Sequence, residues 1–149
     1  MNRILIVDDE PSNVLLLESF LADTAIKTRG LTDSLMVEHV FREFEPDLVL
    51  LDLRMPQPDG LEILRRLRGA RESLGFLPVI VLTADTTRVA RNSALVLGAD
   101  DFLTKPLDRT ETLLRVRNLL RTRGLYVELM TAKQALERRL ESAIRRAGS

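Results

Sequence analysis

The sequence predicts an α/β protein built on a doubly wound parallel sheet, and three observations carry that prediction. The runs Ile4-Leu5-Ile6-Val7, Leu48-Val49-Leu50-Leu51 and Val79-Ile80-Val81-Leu82 are apolar without alternation, as strands covered on both faces are. Helix-length amphipathic stretches separate them, which gives an alternating βα order. The runs end in Asp8-Asp9, Asp52 and Thr83, and in open α/β sheets the ligand crevice lies at the carboxyl ends of the strands.

The elements follow in order. The first strand is expected over about Arg3–Val7, and Pro11 suits the first turn of a helix carried by Val14, Leu15, Leu17 and Leu21 to about Ala22. The second strand, about Ala25–Arg29, has the weakest pattern. A second helix runs from Asp33 or Ser34 to Phe44, broken by Glu45-Pro46-Asp47 ahead of the strand that ends at Asp52. Met55-Pro56-Gln57-Pro58-Asp59-Gly60 is a loop, and Leu61, Ile63, Leu64 and Leu67 form a helix after it. Pro78 opens the fourth strand, and a helix over roughly Thr86–Leu97 closes at Gly98. Asp101-Phe102-Leu103-Thr104 is a short fifth strand delivering Lys105-Pro106, and a helix from Asp108 or Arg109 turns Leu113, Leu114, Val116, Leu119 and Leu120 inward. Residues 1–123 thus form one domain.

Residues 124–149 contain no proline and read as a C-terminal helical extension. A heptad register places Tyr126, Lys133, Leu140 and Ala147 at one seam position and Leu129, Leu136 and Ala143 at the other. Three readings stand: a coiled-coil linker to an output domain, a dimerisation helix, and a helix packed on its own domain. Gly124 is either a hinge or a helix-end cap.

Composition narrows the function classes. The chain has 149 residues, 45% apolar, enough for one core, and no cysteine for disulfides or thiolate metal sites. Nothing resembles a signal peptide or membrane span, so a cytoplasmic location is expected. The formal charge is zero, which argues against a general nucleic-acid or anionic-membrane surface, although residues 107–149 hold 10 basic and 5 acidic side chains. His39, the single histidine, lies in the second helix away from the strand ends and reads as an ordinary helix residue.

Three carboxylates gathered at one sheet edge repel by about 1 kcal/mol per pair in water and up to about 4 near a protein surface. A hard divalent cation offsets that, and with oxygen ligands only, Mg²⁺ is the natural choice, Mn²⁺ a second; Asp8 or Asp9 with Asp52 would supply carboxylates. A carboxylate at such a site can attack phosphorus, and the phosphoryl oxygens then need donors and positive charge. The Thr83 hydroxyl, the Lys105 ammonium and backbone amides near Arg54 and Ala84 can provide them. Phe102 is either a fixed core ring or one that enters space vacated when Thr83 moves.

The combination of Asp8-Asp9, Asp52 within Leu-Leu-Asp-Leu-Arg-Met-Pro-Gln-Pro-Asp-Gly, Thr83-Ala84 and Lys105-Pro106 resembles the receiver domain of two-component response regulators over about residues 2–122. The resemblance implies a flavodoxin-like fold of strand order 2-1-3-4-5 and Asp52 as phosphoacceptor, fed by a sensor histidine kinase or phosphotransfer protein. It implies Asp9 as main metal ligand, Asp8 directly or through water, the Arg54 backbone carbonyl completing the set, and Thr83, Lys105 and the Ala84 backbone holding the phosphoryl group. Thr83 and Phe102 would be the switch pair, Pro106 a candidate cis proline, and Arg54 and Asp85 the residues that tune phosphoryl lifetime. Phosphorylation would change the surface of the fourth and fifth helices and so control an output domain in a longer chain, a partner or a homodimer. No DNA-binding module fits in the residues after the fifth helix, so no direct nucleic-acid contact and no membrane contact is expected. On this reading the chain is a phosphoacceptor rather than an enzyme. The alternatives are a metal-dependent phosphohydrolase acting through an aspartyl phosphate, which would usually carry an acid where Arg54 stands, and a scaffold independent of phosphorylation.

Overall fold

The computed structural model describes residues 1–74, 76–84 and 88–148, the side chains of 70–74 excepted. Five strands, β1 (Asn2–Val7), β2 (Ile26–Leu31), β3 (Leu48–Asp52), β4 (Val79–Thr83) and β5 (Asp101–Thr104), alternate with α1 (Pro11–Leu21), α2 (Val37–Phe44), α3 (Gly60–Leu74), α4 (Arg88–Val96) and α5 (Arg109–Ala147). The sheet is parallel in the order β2-β1-β3-β4-β5, as the resemblance implied.

Each continuous apolar run feeds both faces. Leu5, Val7, Val49, Leu51, Val79 and Val81 point to one face, where Val40, Ile63, Leu64 and Ala94 of α2, α3 and α4 cover them. Ile4, Ile6, Leu48, Leu50, Ile80 and Leu82 point to the other, beneath Val14, Leu17 and Leu21 of α1 and Val116 of α5. Strands β3 and β4 are therefore buried along their length and β1 from Ile4 to Val7, which explains why these runs do not alternate. Strand β2 stands at the sheet edge with half-buried and exposed positions. That is why its pattern was weak, and why its observed span is displaced from the expected Ala25–Arg29.

The second helix departs from expectation at its start: Ser34–Met36 is a 3₁₀ turn, with the Asp33 carboxylate accepting from the Leu35 amide at 3.0 Å, before α2 proper begins at Val37. Helix α4 lies within its expected range; Thr86 falls outside the described residues. Helix α5, capped where the Asp108 carboxylate accepts from the Glu111 amide at 2.8 Å, runs unbroken through Gly124, so that residue does not cap a helix end.

Two devices fix the strand ends. Arg68 donates to the Gly98 and Leu77 carbonyls at 2.8 and 2.6 Å and to Asp100 at 2.6 Å, whose carboxylate also accepts from the Val79 amide, tying α3 to the starts of β4 and β5. At the opposite edge Gly60, the first residue of α3, lies against β3: an added Cβ would run into the Asp52 carbonyl oxygen and the Leu53 Cα, both backbone atoms. Gly60→Ala should therefore displace the strand end that holds Asp52 and cost about 1–3 kcal/mol of stability, measured by urea denaturation; an unchanged midpoint would show that the loop absorbs the methyl freely.

Candidate functional site

The register assembles the site. Val7 pairs with Leu51, Asp52 with Leu82 and Thr83 with Thr104, so Asp8, Asp52, Thr83 and Lys105 end up level at the carboxyl edge of four adjacent strands. Backbone bonds hold them there: the Leu53 amide donates to the Leu82 carbonyl at 3.2 Å and the Lys105 amide to the Thr83 carbonyl at 2.9 Å. The Asp8 and Asp52 side chains are almost wholly buried, while Asp9 is the open member of the three.

Among the described residues, Asp8, Asp9 and Asp52 form the carboxylate cluster: one oxygen from each lies within 4.8 Å of the others. Lys105 answers them with a single ammonium, 3.3 Å from Asp8 Oδ2 and 3.3 Å from Asp52 Oδ1. The Glu10 amide donates to Asp8 Oδ1 at 3.0 Å and the Arg54 amide to Asp52 Oδ1 at 3.3 Å. Asp8 Oδ2 is buried without a hydrogen bond of good geometry, the lysine being its near neighbour. Burial first, and then the Asp8 charge, push the Asp52 carboxyl up from 3.8 to about 6, against the opposing pull of Lys105 and the Arg54 amide. Burial pulls the Lys105 ammonium down, but the Asp52 and Asp8 carboxylates outweigh it and hold the group above its ordinary value. The donor set is all oxygen and carries three negative charges against one positive. A hard divalent cation fits it, because one buried oxygen still lacks a well-directed partner and one carboxyl is displaced towards protonation.

The residues expected from sequence fall as follows. Asp8, Asp9, Asp52, Thr83 and Lys105 share the one edge. Ala84 is exposed immediately beyond β4, and Arg54 is exposed two residues past Asp52. Asp85 lies outside the described residues. Phe102 is half-buried, pairs with Val81 and packs on the α2–α4 side of the sheet. Thr83, two residues beyond Val81, shares that face, which makes the two side chains diagonal neighbours. The Lys105–Pro106 bond is cis, and so is Gln57–Pro58, which the sequence reading did not single out. Sequence reasoning also missed the close approach of Gly60 to Asp52, although the Asp59-Gly60 pair was visible; Asp59 caps α3 by accepting from the Glu62 amide at 3.0 Å.

The likenesses to known proteins agree with this geometry. The family model for the response regulator receiver domain matches residues 4–118. The chain is 35% identical over 136 residues to the regulatory protein AtoC of Escherichia coli (strain K12), covering 91% of this chain and 29% of that protein. It is 39% identical over 119 residues to the transcriptional regulatory protein TrcR of Mycobacterium tuberculosis, covering 80% of this chain and 45% of that one. The chain thus spans less than half the length of these two curated relatives. Among solved structures, the BeF3-activated N-terminal receiver domain of Klebsiella pneumoniae RstA superposes with a TM-score of 0.74 at 30% identity, over 80% of this chain and 99% of that one. No helix among the described residues is long and apolar enough to cross a membrane. On these likenesses the chain belongs to the response regulator receiver domain family, whose members are phosphorylation-dependent switches of two-component signalling.

Proposed function

We propose that Asp52 is the phosphoacceptor, taking a phosphoryl group from a phosphohistidine of a sensor kinase or phosphotransfer protein with a divalent cation, Mg²⁺ before Mn²⁺, at the Asp8–Asp9–Asp52 cluster. The observation that carries this is one buried carboxylate set between two more acids and a lysine at the edge where four strands end. An Asp52 oxygen attacks phosphorus, the bond from phosphorus to the donor nitrogen breaks, and the donor leaves as neutral imidazole after taking up a proton. Asp9 and Asp52, with the Arg54 carbonyl and with Asp8 directly or through water, would hold the cation, which neutralises charge on the phosphoryl oxygens. Lys105 would turn from the carboxylates to a phosphoryl oxygen, with the Thr83 hydroxyl and Ala84 amide meeting the others.

The same movement supplies the signal. Thr83 shares a sheet face with Phe102, so drawing its side chain towards the phosphoryl group frees volume into which the ring can turn, altering the surface beside α4 and α5. By the resemblance, Arg54 and Asp85, two residues beyond Asp52 and Thr83 in sequence, would tune the phosphoryl lifetime. What the altered surface controls, an output domain in a longer chain or a separate partner, belongs to the same proposal. A hydrolase is not favoured by the family match, and Arg54 stands where that chemistry would place a general acid.

Two outcomes are expected. Incubation with acetyl phosphate and Mg²⁺ should add one phosphoryl mass, read by intact-mass spectrometry. The adduct should vanish with EDTA or in Asp52→Asn, and one that survives in Asp52→Asn would contradict the assignment. The second concerns pH. Because the Asp52 pKa is raised on folding, from 3.8 to about 6, its charge opposes the fold above pH 6, and the penalty fades as pH falls through that value. In EDTA, Asp52→Asn should therefore be more stable than the wild type at pH 7.5, by up to about 3 kcal/mol, and the gain should shrink by pH 5. Urea denaturation at both pH values reads it; a gain that grows on acidification would reverse the sign.

A further inference from the structure

The loop that follows β3 carries the Arg54 carbonyl, yet it has few means of holding itself. Pro56 and Pro58 have no amide hydrogen to give. Among the described residues, a single hydrogen bond reaches the stretch from Met55 to Pro58: the hydroxyl of buried Ser34 donates to the Pro56 carbonyl at 3.3 Å. Ser34 is itself fixed from its own side. It opens the 3₁₀ turn Ser34–Met36, where the Asp33 carboxylate accepts from the Leu35 amide and the Ser34 carbonyl accepts from the Val37 amide. Three residues earlier, the Leu31 carbonyl accepts from the Asp8 amide at 3.1 Å. Residues 31–34 therefore grip both loops of the acidic edge, the one that starts at Asp8 through a backbone carbonyl and the one after Asp52 through a side-chain hydroxyl.

We propose that Ser34 is a positioning residue for the cation site of the proposed function, on which this role rests: by holding the Pro56 carbonyl it fixes the direction of the Arg54 carbonyl, a ligand in that site. The torsions between the two leave little else to do so. Leu53 is pinned at both backbone groups, its amide on the Leu82 carbonyl at 3.2 Å and its carbonyl accepting from the Gly60 amide at 3.1 Å. The proline ring sets φ of Pro56, and the residue before a proline is confined to extended backbone, which restricts Met55. The Met55 side chain is anchored as well, buried in the core on the α2–α4 side of the sheet.

The Arg54 peptide thus hangs between two fixed points, Leu53 on one side and the Pro56 carbonyl on the other. Without the Ser34 hydroxyl the second point is lost, because Pro56 is exposed and its carbonyl can turn to water. The Arg54 carbonyl then has to be oriented when a cation binds, and a ligand ordered only at the moment of binding lowers affinity. Groups that orient a metal's ligands from behind act in this way, with the ligand set itself unchanged. The Arg54 amide donates to Asp52 Oδ1 at 3.3 Å, so loosening this peptide also loosens the carboxylate beside it.

Isothermal titration calorimetry of the full chain with Mg²⁺ tests this. Ser34→Ala should bind Mg²⁺ about three- to tenfold more weakly than the wild type. The Mg²⁺ concentration that gives half-maximal acetyl phosphate labelling should rise by the same factor, while labelling at saturating Mg²⁺ stays as it was. Ser34→Thr keeps the hydroxyl, and the cavity of about 190 Å³ beside it, between α2 and α3 and lined by Val37, Phe41 and Ile63, has room for the added methyl; this variant should bind as the wild type does. Thr24→Ala deletes the same kind of bond, a hydroxyl on the Leu21 carbonyl, at the opposite end of the sheet, and should leave Mg²⁺ affinity unchanged. Wild-type affinity in Ser34→Ala, a Ser34→Thr variant as weak as Ser34→Ala, or an equal loss in Thr24→Ala would overturn the positioning role. A wild type that binds no Mg²⁺ would overturn the cation site itself, and this role with it.

Discussion

The Lys105 ammonium placed between Asp8 and Asp52 is the contact on which the rest of the structure turns. Parallel strands in this order bring the ends of β1 and β3 side by side, and both ends carry a buried carboxylate. Two such charges in a poorly hydrated edge could not persist alone. One ammonium 3.3 Å from each makes the pair tolerable without neutralising it, and exposed Asp9 adds a third charge. On the proposed function, the residual excess would make the edge receptive: a cation could be added, and a phosphoryl group on Asp52 would give the lysine another anion to meet. Burial and the Asp8 charge raise the Asp52 carboxyl, so ionised Asp52 is a destabilising element of this edge.

On the proposed function, the fold would transmit that chemistry because its polar edge is short and rigidly based. The Arg68 brace at the far ends of β4 and β5 and the packed contact of Gly60 beneath Asp52 leave little freedom in the strands themselves. Under that proposal, movement would then be left to side chains at the rim, Thr83 and Phe102, and to the segments beyond. Helix α5 connects this rim to the extension, since β5 carries Phe102, leads into Lys105-Pro106 and continues into the helix that leaves the domain.

Much of this was legible in the sequence, and what was not has identifiable causes. The central strands announced themselves because burial on both faces permits only apolar residues, and the acids after Val7 and Leu51 marked the edge. Strand β2 was blurred because an edge strand, half solvated, need not keep a strict pattern. The 3₁₀ turn at Ser34–Met36 escaped because three residues carry no periodicity. The pairing of Lys105 with both Asp8 and Asp52 could not be read from order along the chain; it depends on the register of four strands. Gly60 was seen as part of a loop motif, but its reason, the backbone of Asp52 directly behind it, exists only in three dimensions.

The most direct test of the charge-excess account is Mg²⁺ binding measured by isothermal titration calorimetry at pH 7.5 on the wild type and on Asp9→Asn, which removes one charge from the exposed lip without touching the buried pair. One Mg²⁺ per wild-type chain, with affinity at least tenfold lower in Asp9→Asn, is the predicted result. Equal affinity in the two proteins, or no binding by the folded wild type, would contradict it.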